Sequence, residues 1–172
     1  MLKLGLDTES LHLWFQNKRM DIFGFIEKAH ELGFDGVMIN ILKDYNLDPE
    51  WGTLMNNDPA HLKRVRDLLE SYHMYAELAT KGITKEHLLK VLDVAEALAA
   101  DIIRTYIPIT LNPLTSRATG GEGKYDQAKV RGDFDPAVFD EAAMSLRQII
   151  PELKKRRIRL ALENHEYETS DE

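Results

Sequence analysis

The sequence predicts an α/β fold with a parallel sheet, because short apolar runs alternate with amphipathic helical stripes along the chain. Five runs have the length of strands, and helical segments with apolar residues spaced by three and four positions separate them. Such alternation builds right-handed βαβ units around one sheet. The chain has 172 residues, of which 44% are hydrophobic, so it is long enough for one domain with its own core.

The first two strand–helix units have clear boundary signals. We predict the first strand over residues 2–7. A helix follows between Asp21, a suitable N-cap, and Gly33, a suitable C-terminal stop. The second strand covers residues 36–41, and the second helix opens at Pro59, since a proline at the first helical position loses no hydrogen bond.

The remaining elements continue the same alternation. The third strand covers residues 75–80, and Thr84 caps the third helix. The fourth strand covers residues 101–108, and a fourth helix starts at the Asp-Pro pair at 135–136. The last apolar run, residues 158–163, is the fifth strand.

Two architectures fit this alternation. An open doubly wound sheet is complete with five strands, whereas a (β/α)8 barrel usually needs about 250 residues. The long connections at 8–20, 42–58 and 109–134 all follow strand carboxyl ends, where barrels carry their active-site loops. No G-x-G-x-x-G pattern follows the first strand, which disfavours dinucleotide binding. We therefore predict a single (β/α)8-type barrel domain over residues 1–172, truncated to about four βα units plus strand five.

The amino-acid composition argues against several classes of binding partner. The formal net charge of -7 argues against binding to nucleic acid or to anionic membranes. No apolar run approaches the roughly 20 residues needed to span a bilayer. The absence of cysteine excludes disulfides, thiolate catalysis and cysteine-ligated zinc. We expect a cytoplasmic protein that binds a small molecule.

The end of the fifth strand is the strongest candidate site. Alternation along the strand puts Ala161, Glu163 and His165 on one face, which is the interior in a barrel. A carboxylate buried there needs a metal, a proton or an arginine such as Arg104 as its partner. His165 is a candidate acid or base, metal ligand or hydroxyl-binding residue, and a loop histidine that points into solvent is the alternative.

Other strands add polar residues to the same rim. Asp7 follows the first strand, Asn40 lies in the second, Glu77 in the third and Arg104 in the fourth. We expect Asn40, Glu77 and Arg104 to bind substrate, with ordinary hydrogen bonding inside the core as the alternative for each. Together these residues predict a polar site with several carboxylates at the carboxyl ends of the strands.

Two aromatic side chains lie in the first strand-to-helix connection. His12 and Trp14 are candidate substrate-binding residues, because aromatic rings there suit the apolar face of a sugar. The alternative is that they pack this connection onto the barrel. The sequence contains no Ser-His-Asp order, H-E-x-x-H or EF-hand pattern that would favour another chemistry.

Three segments resemble the xylose-isomerase-like TIM barrels, which are sugar and sugar phosphate isomerases and epimerases with dehydratase and lyase relatives. They are residues 4–7 (LGLD), 25–37 (FIEKAHELGFDGV) and 160–165 (LALENH). The resemblance implies that Glu163 binds a divalent metal (Mn²⁺, Mg²⁺, Co²⁺ or Zn²⁺) and acts as an acid–base group. It also implies that His165 works on the substrate side. The family's other metal ligands, an Asp, a His and a second Glu, come from strands six to eight.

The function implied by this resemblance is a metal-dependent sugar or sugar phosphate isomerase or epimerase, which moves a proton next to a carbonyl group. A lyase or dehydratase acting on an oxidised sugar is the rival on the same scaffold. A non-catalytic barrel fragment or subunit is the rival of another class, because a partial barrel has two open sheet edges. We therefore also expect a homo-oligomer, or a complex with the missing carboxyl-terminal half.

Overall fold

The computed structural model describes residues 2–41, 47–106 and 137–163. Its strands are β1 (Gly5–Asp7), β2 (Gly36–Ile41), β3 (Tyr75–Thr80), β4 (Ile102–Thr105) and β5 (Arg159–Leu162). Its helices are α1 (His12–Gln16), α2 (Ile22–Glu31), α3 (Pro59–Ser71), α4 (Lys85–Ala97) and α5 (Ala137–Arg156), and a 3₁₀ turn covers Thr8–Leu11. The predicted helix start at 135–136 lies outside the described residues.

The five strands form one parallel sheet in the order β1-β2-β3-β4-β5. Each strand is therefore added on the same side of its predecessor, as happens in a (β/α)8 barrel. A doubly wound sheet instead reverses direction at a switch point. The barrel-type fold with four βα units and a fifth strand is confirmed, and the open alternative is excluded for these strands.

Some predicted bounds differ from the observed ones. The strands β2 and β3 have the predicted ends, whereas only the last three residues of the run 2–7 pair with β2. The connection at 8–20 contains the 3₁₀ turn and α1 rather than plain loop. The Asp7 carboxylate stabilises this turn by accepting the backbone N–H of Glu9 at 2.9 Å.

Two helices begin at the predicted caps. Asp21 Oδ1 accepts the N–H of Gly24 at 2.9 Å, and the Thr84 hydroxyl accepts the N–H of His87 at 3.4 Å. Pro59 is the first residue of α3, as predicted. Within the described ranges, no helix is both long enough and apolar enough to cross a membrane.

The hydrophobic core lies between the sheet and the helices. Val37, Ile39, Leu78 and Ile103 point from the three central strands into this core and are fully buried. Buried side chains of the helices meet them, namely Ile22, Phe25, Ile26 and Ala29 of α2, Val65 and Leu69 of α3, Leu88, Val91 and Leu92 of α4, and Ile149 of α5. Since side chains alternate along a strand, the residues between the buried ones face the opposite, inner side of the sheet.

Tyr75 covers the inner face near the amino-terminal ends of the strands. A Cβ atom added to Gly36 would lie 2.5 Å from Cγ of the tyrosine ring, and one added to Gly5 would lie 2.7 Å from its hydroxyl oxygen. The ring therefore occupies the space that side chains on β1 and β2 would need. Burial, followed by the negative charges of Glu77 and Asp35, raises the pKa of Tyr75, so the hydroxyl stays protonated at neutral pH.

The chain leaves α4 through Ala99, whose φ of 55° lies in the left-handed region. The N–H of Ala100 donates to the carbonyl of Ala95 at 2.8 Å, a helix ending in which glycine is preferred. We expect Ala99→Gly to raise the free energy of unfolding by about 1 kcal/mol, because it removes the strain of a left-handed Cβ. Urea unfolding measures the change. The control Ala97→Gly changes the last residue of α4, whose φ is not positive, so it should not raise stability. A loss of stability in both variants would contradict the prediction.

Candidate functional site

The inner face carries its polar residues near the carboxyl ends of the strands. The register places Asn40, Ala79, Arg104 and Ala161 side by side on β2, β3, β4 and β5. Because the two neighbours of Arg104 are alanines, its long side chain has room to extend over them. Among these four residues in register, Arg104 is the one whose side chain reaches over its neighbours.

Arg104 joins the fifth strand to the first. Its Nη1 lies 3.3 Å from Oε2 of Glu163, and its Nη2 lies 3.5 Å from Oδ2 of Asp7. The strands β1 and β4 are not neighbours, so the contact between Asp7 and Arg104 crosses the inner face. The three side chains are 28–33% exposed, and solvent therefore screens both ion pairs. Their importance is to hold three charged groups together in one place.

Asn40 holds Asp7 from the other side. Its Nδ2 donates to Oδ1 of Asp7 at 2.6 Å. Asn40 is only 4% exposed, its backbone N–H donates to the Thr8 hydroxyl at 3.0 Å, and its carbonyl accepts the Thr53 hydroxyl at 2.9 Å. These bonds fix the position of the asparagine amide. Glu163, Arg104, Asp7 and Asn40 therefore form one connected set, which we call the inner polar row.

The side-chain oxygen of Asn40 is buried and has no hydrogen-bond partner among the described residues. Rotating the amide by half a turn would bring this oxygen against the Asp7 carboxylate, so the observed orientation is the favourable one. A buried acceptor without a donor costs about 1–3 kcal/mol. The side-chain oxygen of Asn40 is therefore an acceptor without a hydrogen-bond donor, such as a water molecule or a hydroxyl group.

Glu77 lies on the same inner face, on β3, beside Met38 of β2. Its carboxylate is partly buried and forms no hydrogen bond or ion pair with residues 2–41, 47–106 or 137–163. It adds a negative charge near the inner polar row without belonging to its chain of contacts. Its predicted role in substrate binding stays a prediction.

The aromatic residues of the connection between β1 and α2 differ in their burial. Trp14 is 50% exposed, whereas Phe15 is 3% exposed and packs with its ring centroid 5.8 Å from that of Phe25. Phe15 is thus the residue that packs α1 onto the barrel. His12 Nδ1 lies 2.8 Å from the carbonyl oxygen of Glu9. Neither His12 nor Trp14 takes part in the contacts that connect the inner polar row, and their binding to sugar stays a prediction.

Sequence reasoning placed Arg104 among the possible partners of Glu163 and put Asp7 on the rim, but it did not bring Asp7 and Arg104 together. It also missed Thr8 and Thr53, which hold Asn40 in place. No local pattern marks these threonines, because each acts through a residue distant in sequence. His165 lies outside the described residues, and its predicted role stays a prediction.

The side chains of the described ranges do not supply a complete set of ligands for a divalent metal. Such a metal needs several oxygen or nitrogen ligands. No group of three or more His, Asp or Glu residues within these ranges is placed to hold one. The carboxylate of Glu163, the predicted ligand, is paired with the Arg104 guanidinium instead. The described residues therefore do not fit a metal by themselves, and Glu163 offers at most one ligand.

The strand order and the inner polar row define the chain as a (β/α)8-type barrel protein with a polar site at the carboxyl ends of its strands. It is similar in structure to D-psicose 3-epimerase from Clostridium cellulolyticum H10, solved with D-tagatose. The TM-score is 0.63 and the identity 14%, over 98% of this chain and 55% of that chain. It is also similar to a xylose isomerase-like TIM barrel protein from Mycobacterium smegmatis, solved in complex with magnesium. There the TM-score is 0.52 and the identity 19%, over 87% of this chain and 49% of that chain.

These likenesses confirm the TIM-barrel type of fold that the three sequence segments implied. The chain spans about half the length of the two solved barrels it matches. No family model matches the sequence, and no curated protein matches it. At 14–19% identity the likeness shows the fold, and the activity is a matter of proposal.

Proposed function

We propose that the chain carries the substrate-binding face of an isomerase or epimerase that acts on a sugar or sugar phosphate. The observation that carries this proposal is the inner polar row, which lies at the end of the sheet where barrels bind their substrates. The structural likeness to a D-psicose 3-epimerase solved with D-tagatose supports a sugar as the substrate class.

The proposed reaction moves one proton next to a carbonyl group and needs no oxidant or reductant. A carboxylate takes the proton from the carbon, which leaves an enediolate. Return of a proton to the opposite face of the same carbon gives the epimer. Return to the adjacent carbon, with the hydroxyl proton passing to the former carbonyl oxygen, gives the isomer. We assign proton removal to Glu163. Arg104 orients that carboxylate and, as a fixed cation, stabilises negative charge that develops on the substrate oxygen. The carboxylate of Asp7, which Asn40 holds in place, accepts hydrogen bonds from substrate hydroxyls.

Several further expectations belong to the same proposal. A divalent metal (Mn, Mg, Co or Zn) with Glu163 as one ligand is supported by the magnesium complex of the xylose isomerase-like neighbour, and no step above depends on it. The single domain over residues 1–172 and the cytoplasmic location stay predictions. So does a homo-oligomer or a complex with a carboxyl-terminal half. Among the described strands, β5 lies at one edge of the sheet and its Leu162 is 51% exposed, which supports the proposal of such an assembly.

Exchange of substrate hydrogen with solvent tests the proposed reaction. The chain is incubated with D-psicose or D-tagatose in deuterium oxide, with and without Mn²⁺, and proton NMR follows the signal of the hydrogen next to the carbonyl. We expect exchange that falls about 100-fold or more in Glu163→Gln, which is the range lost with a general base. The control Glu86→Gln changes an 86% exposed glutamate of α4 and should leave the rate unchanged.

Each outcome favours one of the candidate functions. Exchange that survives Glu163→Gln would remove Glu163 from the proposed role. An elimination product formed from an oxidised sugar would identify the lyase or dehydratase alternative. No exchange with any sugar, from a folded chain, would overturn the enzymatic proposal and favour a non-catalytic subunit.

A further inference from the structure

Two threonines from different connections bond to the backbone of Asn40. Thr8 begins the 3₁₀ turn that follows β1, and Thr53 lies in the connection between β2 and α3. Both are almost fully buried, at 0% and 3% exposed. A buried hydroxyl needs a hydrogen-bond partner, because its transfer out of water is otherwise unfavourable. The bonds that these two hydroxyls form therefore help to hold both connections on the sheet.

The three residues form a closed ring of hydrogen bonds. The N–H of Asn40 donates to the Thr8 hydroxyl at 3.0 Å. A hydroxyl has one proton and a carbonyl oxygen only accepts, so Thr53 donates its proton to the carbonyl of Asn40 at 2.9 Å. The bond of 3.1 Å between the two hydroxyls then uses the proton of Thr8. Each donor in this threonine ring has one acceptor, and bonds connected in this way strengthen one another.

The threonine ring replaces pairing that β1 does not supply. The last residue of β1, Asp7, lies opposite Met38, so the strand ends before the level of Asn40. The backbone N–H and C=O of Asn40, which a neighbouring strand would otherwise bond, are taken by Thr8 and Thr53. The N–H of Thr53 also donates to the carbonyl of Asn40, at 3.0 Å. Asn40 is therefore fixed at a place where the pairing with β1 has ended.

The position of Asn40 decides how Asp7 is held. Its Nδ2 donates to Oδ1 of Asp7 at 2.6 Å, and Asp7 directly precedes Thr8 in the chain. The threonine ring thus holds Asp7 both through its side chain and through its neighbour in sequence. The other oxygen, Oδ2, lies 3.5 Å from Arg104, and the Asp7 side chain is 28% exposed. The carboxylate is accessible, whereas the groups that fix it are buried.

We propose that Thr53 is a positioning residue of the site. Together with Thr8 it fixes the Asn40 amide, and thereby the orientation in which the Asp7 carboxylate meets a substrate. This inference rests on the proposed function in taking Asp7 as a group that binds substrate hydroxyls. Because Thr53 is 3% exposed, it acts through Asn40 and not on the substrate itself.

Hydrogen exchange of the Asn40 side-chain amide tests the threonine ring without any sugar. Heteronuclear NMR of the full chain identifies this amide as the pair of signals that is missing in Asn40→Ala. Thr53→Val keeps the shape of the side chain and removes the hydroxyl. We expect it to speed the exchange about fivefold, which corresponds to the loss of one neutral hydrogen bond. Thr53→Ser keeps the hydroxyl and should restore slow exchange.

Thr80→Val is the matched control. Thr80 is also almost fully buried, and its hydroxyl bonds to the carbonyl of Ile41, the residue after Asn40, at 3.2 Å. This variant loses a hydroxyl in the same part of the sheet but leaves the threonine ring intact, so exchange of the Asn40 amide should not change. Combining Thr8→Val with Thr53→Val should speed exchange by less than the product of the single effects, because either substitution opens the ring. Circular dichroism confirms that each variant is folded.

The same variants test the consequence for the site with D-psicose or D-tagatose. Loss of a binding group that holds substrate and transition state equally raises KM and leaves kcat unchanged. We therefore expect Thr53→Val to raise KM for the exchange of substrate hydrogen with solvent about fivefold, with little change in kcat. Thr53→Ser should return KM to the value of the wild type, whereas Thr80→Val should not alter it.

The proposal is overturned if Thr53→Val leaves exchange of the Asn40 amide unchanged, if Thr53→Ser does not restore it, or if Thr80→Val has the same effect. It is overturned as well if the amide exchange changes but KM does not. A folded chain that exchanges no sugar hydrogen overturns the proposed function and with it the substrate role of Asp7. Because the amide experiment contains no sugar, it still decides whether Thr53 fixes Asn40, and the two failures are distinguishable.

Discussion

Replacing Leu78 by alanine is expected to lower the free energy of unfolding by about 3 kcal/mol, within the usual range for a buried leucine. Leu78 is fully buried in β3, the central strand of the sheet. Its neighbours in register are Ile39 and Ile103, which are fully buried as well. The substitution removes apolar contacts and leaves a cavity that these neighbours cannot fill without moving their strands. Urea unfolding followed by circular dichroism measures the loss.

The same substitution at Leu13 is the matched control. Leu13 lies in α1 and is 58% exposed, so we expect its replacement by alanine to change stability by no more than about 0.5 kcal/mol. If Leu78→Ala costs no more than Leu13→Ala, the face of the sheet covered by helices is not the core of the protein.

Replacing Gly36 by alanine is expected to lower the free energy of unfolding by about 2 kcal/mol, as overpacking usually does. The added Cβ would lie 2.5 Å from Cγ of Tyr75, which is too close for two carbon atoms that are not linked by bonds. Cγ is attached directly to the tyrosine Cβ, so the ring cannot avoid the methyl group by turning about its own axis. Either β2 and β3 separate locally or Tyr75 leaves the inner face. Urea unfolding measures the cost.

Two comparisons identify the tyrosine ring as the cause. In a Tyr75→Ala background, the additional cost of Gly36→Ala should nearly disappear, which a double-mutant cycle detects. Gly24→Ala, in α2, should instead stabilise the protein by about 0.5–1 kcal/mol, because alanine is the better helix former. A Cβ at Gly24 would have its nearest contact at 3.6 Å, an ordinary distance. An undiminished cost in the Tyr75→Ala background would show that Gly36 is required for another reason.

Hydrophobic periodicity was sufficient to predict the two central strands. The bounds of β2 and β3 agree with the apolar runs at 36–41 and 75–80, because the two strands pair with each other over their whole length and bury most of their residues. The first strand was predicted too long. Pairing in β1 begins only at Gly5, since its partner β2 begins at Gly36, and the position of a partner is not visible in a local pattern.

The sequence by itself determined the α/β class, the order of strands and helices, two helix caps and the polar residues at the strand ends, because periods of two and of about 3.6 residues and capping preferences are local properties. Only the tertiary structure decided which polar groups meet. The contact between Asp7 and Arg104 joins strands that are not neighbours, so it exists only where the folded sheet brings its inner face together. The same holds for the Tyr75 ring over Gly36 and for the threonines that hold Asn40. Packing across strands depends on distances that no local pattern of residues encodes.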